Sequence, residues 1–564
     1  MISGALGAGW LIGLWVAAPI FGRARGAARI AQAIALGCLI PLALGALNLL
    51  YAWSLWIVLA GVAIASLLRQ RHGDAEPAAR GEVEWDLLVG FVALVALAWP
   101  VAVRPLLDGD TLIYHLPNAA SWANQHGFWT TGTRYWWYPP ASEIFASGLL
   151  ATGGIGAVGW AGLPPAVLLL LTFRAVARRS GTAPIVGTLV ACALLATPVA
   201  VQQLVSLQND LWLSALFIFA VTEYATPAFA VLSLTKPTGL AFALLASGAW
   251  RGTKRRIAAA VSAGAFALWG ARDLILAPRP LSTIAAWLPK GGPGSTIAAH
   301  LPESLLVFAR ASWHEGPAWC AFSLLGFAVA LLGPRRYWRF AAFAAIVIFA
   351  LLPTAYVGAD GVQQLALGSS LRFMLPAATL GALWLSTFPK RAKSFVVTAA
   401  AAATVAGVAA QWQIFSNDST THNTPFFVAA VTLVIAISVA LRAAWARIAI
   451  GTGTAVLLAA LAGGLALSHP KDYITRLYGD APNFISRAGI QRVLAYGLPA
   501  GAFLIVDPTV LAFDGDDWGT CEQARKLGAV IAIGPHPPRV LDCGRVLYRD
   551  ARTTVLDPIS ANRS

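Results

Sequence analysis

The chain reads as an all-α polytopic membrane protein of about fourteen transmembrane helices and a short re-entrant hairpin, with a small C-terminal α/β domain. Three observations predict this class. Of 564 residues, 58% are apolar and 12% charged, against roughly 25% charged in soluble domains, and mean hydropathy is +0.68. A bilayer core takes about 20 apolar residues per helix, and fourteen such stretches can be marked along the chain. The basic residues, finally, sit on alternate loops between those stretches. A soluble enzyme, a disordered chain and a coiled coil are excluded. The net charge of +15 answers to membrane orientation and not to nucleic acid, because position along the chain carries the bias.

Spans are predicted near residues 4–21, 30–50, 52–69, 86–104, 155–173, 183–202, 209–226, 257–275, 315–333, 340–357, 372–388, 394–412, 425–441 and 448–467. Clusters such as Arg23/Arg25/Arg29, Arg174/Arg178/Arg179 and Arg251/Lys254/Arg255/Arg256 place 21 of the 40 Lys and Arg on one set of loops. The opposite loops hold seven, namely Arg104, Arg134, Arg272, Arg279, Lys290, Arg310 and Arg372. By the positive-inside rule the first set is cytoplasmic, which puts both termini outside the cytoplasm of a multi-pass protein of the cell inner (plasma) membrane. Residues 227–250 are apolar, yet they lie between a cytoplasmic span end and a basic cluster. A hairpin of two half-helices fits them, with Thr235-Lys236-Pro237 at its tip, because proline breaks a helix and a lysine in lipid needs a partner or water.

The organisation that follows is 1–85, additional N-terminal helices; 86–467, a catalytic transmembrane region with an acidic outer loop at 105–154; and 468–564, an extracytoplasmic α/β domain. In that last domain 502–506 and 529–533 read as buried strands, and 486–496 and 520–527 as helices. Cys38, Cys192 and Cys320 fall singly in spans, whereas Cys521 and Cys543 share the exported domain and can pair in an oxidising compartment.

The acidic loop runs Asp108-Gly-Asp110-Thr-Leu-Ile-Tyr114-His115-Leu-Pro117. A helix is predicted over 118–126, opened near Pro117 and closed by Gly127, with Trp122 in the membrane interface. Arg134, Tyr135, Trp136, Trp137, Tyr138, Pro139, Pro140 and Glu143 follow. Such aromatics suit the headgroup zone and equally a platform for a sugar or an isoprenoid.

In order, Asp110, Tyr114-His115-Leu116-Pro117, Tyr138-Pro139-Pro140 and Glu143 resemble the first outer loop of the GT-C glycosyltransferases, the superfamily that includes protein O-mannosyltransferases and the aminoarabinose transferases of lipid A. Asn209-Asp210, Thr235-Lys236-Pro237, Arg272-Asp273 and Arg372-Phe373-Met374-Leu375-Pro376 are similar to later landmarks. Three additional spans, over 1–85, precede the one that leads into the acidic loop, where the best-known members have a single span ahead of it. The resemblance implies transfer of a sugar from a polyprenyl-phosphate donor to a glycan, lipid or protein acceptor on the extracytoplasmic face, with inversion. Asp110 would take the acceptor hydroxyl's proton, and Asp108 would orient the acceptor or help hold a divalent cation, Mg or Mn. His115, Tyr114, Arg134, Tyr138, Glu143, Lys236, Arg272 and Arg372 are the binding candidates. Arg372 and Arg272, each at an outer span end, suit a leaving phosphate or equally a snorkelling anchor. A transporter or flippase of lipid-linked sugars would gather its ionisable groups at mid-membrane. A glycan polymerase or ligase would carry its main outer loop late in the chain.

Overall fold

The computed structural model describes residues 2–22, 24–71, 85–103, 109–131, 133–204, 206–276, 308–313, 315–352, 371–388, 396–404, 406–407, 474–475, 477–514, 520–534 and 544–558. Four helices, α1 (Ile2–Ala17), α2 (Ala27–Ala46), α3 (Ala52–Arg71) and α4 (Trp85–Val103), precede the acidic segment. After it come α5 (Leu116–Gln125), α6 (Ala141–Gly153), α7 (Ile155–Val158), α8 (Leu163–Arg179), α9 (Pro184–Leu195), α10 (Pro198–Leu204) and α11 (Asp210–Thr222). The bundle continues through α12 (Thr226–Ser233), α13 (Gly239–Ser247), α14 (Gly252–Leu276), α15 (Pro317–Leu332), α16 (Arg336–Leu351) and α17 (Leu375–Leu385).

Among the described residues, Ala27–Ala46, Ala52–Gln70, Ile155–Arg179 and Gly252–Leu276 are long and apolar enough to cross a bilayer. The pair α9 and α10 makes a fifth candidate, bent by 87°. The straight crossing expected over 183–202 is therefore broken, at Pro198, which has no N–H to continue the helix. The segments expected near 425–441 and 448–467 lie outside the described residues, and that near 394–412 is described only in part. The hairpin expected over 227–250 takes the form of α12 and α13, two short helices around the Lys236 tip.

The acidic loop departs from its expected form at its end. Residues 141–153 form α6, buried on nearly every side, because Phe145 fills the space beside Gly37 and Leu14 while Gly148 meets Pro41 and Trp10. Phe128 N–H donates to the Gly45 carbonyl at 3.1 Å, whereas Cys38 Sγ donates to the Ala141 carbonyl at 3.4 Å. Gly45 and Cys38 are seven residues apart on α2, a rise of ~10 Å. Residues 128–141 thus dip ~10 Å into the bundle, and α6 climbs back alongside α2. The dip is anchored where the Ala141 N–H donates to the Leu234 carbonyl at the hairpin, 2.7 Å away. Small and polar residues in α6 (Ser142, Glu143, Ser147, Gly148) dilute its hydropathy, so sequence alone leaves it in the loop.

The C-terminal unit is a five-stranded sheet of order β2-β1-β3-β5-β4, with β1 (Arg492–Tyr496), β2 (Leu511–Asp514), β3 (Val530–Ile533), β4 (Arg545–Arg549) and β5 (Thr554–Asp557). Strand β1 is parallel to both β2 and β3, and β5 is antiparallel to β3 and β4. Its helices are α18 (Ala481–Arg487), α19 (Gly501–Val506) and α20 (Thr520–Leu527). Two assignments are corrected. The run 502–506 is helical, and 492–496 within the expected helix is strand β1, paired on both sides. Both runs are buried almost throughout, and an apolar stretch buried on all sides has no period to separate strand from helix. Cys521 is disulfide-bonded, Cys38, Cys192 and Cys320 are free, and Cys543 lies outside the described residues.

Candidate functional site: a charged cleft beneath the acidic turn

Asp110 opens a π-helical turn, Thr111–His115, that runs directly into α5. Such wide turns are uncommon and cluster at functional sites. Helix α5 begins with Pro117 in its first turn, as expected, and ends on His126 in the left-handed region, φ 58°, one residue before the predicted glycine. Trp122 is fully buried, packed edge-on against Phe128 and Trp269. Its expected place in the interface is corrected: the dip of the loop covers it.

Four charged side chains from four separate elements meet beside the turn. Arg372 pairs through Nη2 with Asp110 Oδ2, and its Nε lies 3.3 Å from Asp210 Oδ2. The other Asp210 oxygen pairs with Lys236 Nζ from the hairpin tip. The result is an alternating row, Asp110, Arg372, Asp210, Lys236. Phe373 lies against both cations, 4.6 Å from Lys236 Nζ and 5.2 Å from the Arg372 guanidinium carbon. Asn209 Nδ2 donates to the Thr235 carbonyl at 2.9 Å, fixing the hairpin tip to the head of α11. The Asp110 carboxyl is 29% exposed and the Asp210 carboxyl 2%, so Asp110 is the acid that a ligand can reach. Burial by itself would raise the Asp110 pKa, but Arg372, His115 and Lys236 outweigh it and hold the carboxyl below the usual range.

His115 and Glu143 form a second, inner pair at 2.7 Å, both fully buried, and Ser142 Oγ donates to the free Glu143 oxygen at 2.7 Å. Tyr114 packs on His115, 4.0 Å between ring centres, and Tyr135 and Tyr138 stack at 4.7 Å nearby. The Tyr114 hydroxyl pKa is raised by burial and by Asp110; that of Tyr138 is pushed up to about 12, first by burial and then by Tyr135. Both stay neutral donors at physiological pH.

Two candidates fall elsewhere. Arg134 is exposed, its guanidinium carbon 5.2 Å from the Tyr135 ring. Arg272 is buried and spends its guanidinium on the dip: Nε and Nη2 donate to the Phe128 carbonyl, Nη2 to the Thr130 carbonyl, and Nη1 to the Trp136 carbonyl and to Asp273. All five N–H groups of an arginine are thereby engaged. Asp108 lies outside the described residues. Asp210, which the sequence offers only as a landmark at the head of a span, salt-bridges both Lys236 and Arg372 and so joins the row. The available signal was a carboxylate at the head of a wholly apolar helix, where an ionisable group is costly without partners.

The C-terminal domain closes over the turn. Gly501, at the start of α19, lies so close to Leu112 that an added Cβ would meet that residue's backbone, and Asn124 Nδ2 donates to the Pro508 carbonyl at 2.6 Å.

Fold and site define a polytopic helical membrane protein with a charged cleft at one end, covered by a small α/β domain. Its fold is similar to that of ArnT from Cupriavidus metallidurans in the apo state, at 15% identity and TM-score 0.50, the match covering 84% of this chain and 97% of that one. A second solved structure, ArnT from the same organism bound to undecaprenyl phosphate, aligns at 14% identity and TM-score 0.49 over 85% and 99% of the two chains. At these identities the likeness is one of fold. The fold expected from the resemblance in the acidic loop is thus the fold observed. No family model and no curated protein matches the chain.

Proposed function

We propose that the chain is an integral membrane glycosyltransferase of the GT-C type, moving a sugar from a polyprenyl-phosphate donor to a glycan, lipid or protein acceptor on the extracytoplasmic face of the inner membrane. The observation that carries this reading is the charged row, in which one reachable carboxylate is held by a cation suited to a phosphate. The ArnT-like fold supports the class.

Before reaction Arg372 occupies Asp110. A donor phosphate entering the cleft competes for Arg372, with Lys236 as its second counter-charge. Asp110 is then released, still ionised, to accept the proton of the acceptor hydroxyl. The acceptor oxygen attacks the anomeric carbon and the carbon–oxygen bond to phosphate breaks on the opposite side. Polyprenyl phosphate leaves with the electron pair, stabilised by Arg372 and Lys236, and the product is inverted. Tyr114 and Tyr138 form the wall against which the sugar rests, with the buried His115–Glu143 pair behind them. Among the described residues no three His, Cys, Asp or Glu side chains converge as a metal site, and Asp110 is already paired with Arg372. Asp108, the other residue expected to help hold Mg or Mn, lies outside the described residues, and no step is routed through a cation.

The test is to incubate the purified chain with a panel of polyprenyl-phosphate sugars and an acceptor extract and to follow free polyprenyl phosphate. Release that depends on Asp110 supports the assignment. Movement of intact donor across vesicles without release would favour a flippase and overturn it.

A further inference from the structure

Apart from the charged row, an apolar cavity of about 150 Å³ lies between α1, α2, α6 and α8, lined by residues that include Leu11, Leu14, Trp15, Ile34, Phe145 and Val167. Trp15 at its rim is 45% exposed. The Arg29 guanidinium stacks on Trp15, with its carbon 3.6 Å from the ring centre, and Nε donates to the Trp15 carbonyl at 3.1 Å. Ring and carbonyl together fix the plane of the guanidinium, and both terminal NH2 groups are without a partner among the described residues. From α3, Arg69 adds a second cation at the same end of α1, its Nη1 donating to the Ile20 carbonyl at 2.7 Å.

The depth of this cavity follows from α8. Gly7 of α1 lies against Ala157 and Trp160, and lower down Leu11 and Trp15 share the cavity with Leu163 and Val167, so α1 and α8 descend side by side. Val167 is seven residues, or ~10 Å, from Arg174, which opens the basic cluster of that helix end. The cavity is therefore within one leaflet, just beneath a ring of arginines, on the side that the charge bias makes cytoplasmic.

We propose that this is a binding site for an anionic glycerophospholipid of that leaflet, with one acyl chain in the cavity and the phosphate on the two free NH2 groups of Arg29. Charge complementarity selects the occupant. A planar, stacked guanidinium with two parallel donors matches a phosphate diester, Arg69 adds attraction, and apolar walls left empty beside lipid would forfeit dispersion contacts. A carrier lipid whose phosphate sits beside Asp110 is at the opposite end of α2 and does not satisfy Arg29. The inference stands independently of the proposed transfer reaction.

Thermal unfolding of the full chain in detergent, followed by intrinsic tryptophan fluorescence, tests it without any activity assay. Phosphatidylglycerol is expected to raise the apparent Tm by about 3 °C or more at saturation, while phosphatidylcholine and inorganic phosphate have little effect. Arg29→Gln should abolish the phosphatidylglycerol shift. Ala33→Leu, which narrows the cavity and leaves Arg29 intact, should abolish it too, so the test survives if one variant fails to fold. Equal shifts with phosphatidylcholine, a shift from polyprenyl phosphate alone, no shift at all, or a phosphatidylglycerol shift retained in both variants would each overturn the proposal.

Discussion

Two arginines, Arg272 and Arg372, stand at similar places in the sequence, each at the end of an apolar span, the first followed by Asp273 and the second by Phe373. Their surroundings differ in kind. The Arg272 corner is made mainly of backbone carbonyls: the guanidinium donates to those of Phe128, Thr130 and Trp136, with the adjacent Asp273 as a carboxylate partner. Carboxylates make the Arg372 corner, with Asp110 and Asp210 on either side. Fixed carbonyls hold a cation for good, whereas a carboxylate pair can exchange it for a phosphate. One corner ties down the dip, and the other is the corner to which the proposed reaction assigns the donor phosphate.

The sharpest way to break this comparison is Asp110→Asn, which keeps shape and removes the base. Release of carrier phosphate is expected to fall about 100-fold or more, with apparent Tm little changed; near-normal turnover would remove Asp110 from the role. Arg372→Gln comes next, with a loss of tens-fold to about 100-fold and a qualitative signature in the pH profile. In the parent chain Arg372, His115 and Lys236 hold the Asp110 pKa below the usual value, so the carboxylate stays charged and kcat/KM should be flat from pH 7 down to about pH 5. Without Arg372 burial dominates, the pKa rises, and the acidic limb should move upward in pH. An unmoved limb would detach Asp110 from Arg372.

Arg272→Gln should behave oppositely. It strands several buried carbonyls, a cost of about 3 kcal/mol, and is expected to lower Tm by several degrees, while turnover per folded molecule at low temperature falls much less than for Arg372→Gln. A large kinetic loss with unchanged Tm would erase the distinction between the two corners. The smallest effect is expected from Gly501→Ala. Its methyl meets the Leu112 backbone and should loosen the π-helical turn, visible as faster amide exchange over 109–116 and a few-fold loss of turnover, with 545–557 unaffected. Cysteine labelling at 131 and 254 tests orientation for both corners: position 131 should react from outside and 254 should be protected.

Much of this was legible in the chain. Hydropathy gave the membrane class, and the proline beside Lys236 the hairpin that brings that lysine to Asp210. The order of short landmarks was enough to identify the GT-C resemblance. Hydropathy failed where burial is by protein instead of lipid. Helix α6 carries Ser142 and Glu143 yet is buried, because His115 satisfies the carboxylate. The reverse error occurred in the C-terminal domain, where 492–496 and 502–506 are both apolar and buried and nothing in their pattern tells strand from helix.

What the sequence by itself determined is what depends on local composition: lipid-soluble segments, the chain break at Pro237, and an acid in a short loop beside aromatic residues. The tertiary structure alone decided which charges meet. Asp110, Asp210, Lys236 and Arg372 come from positions up to 262 residues apart, and a buried charge is stable only beside its opposite. Pairing was therefore settled by how the helices pack, and that packing sent one arginine to carbonyls and the other to the acids.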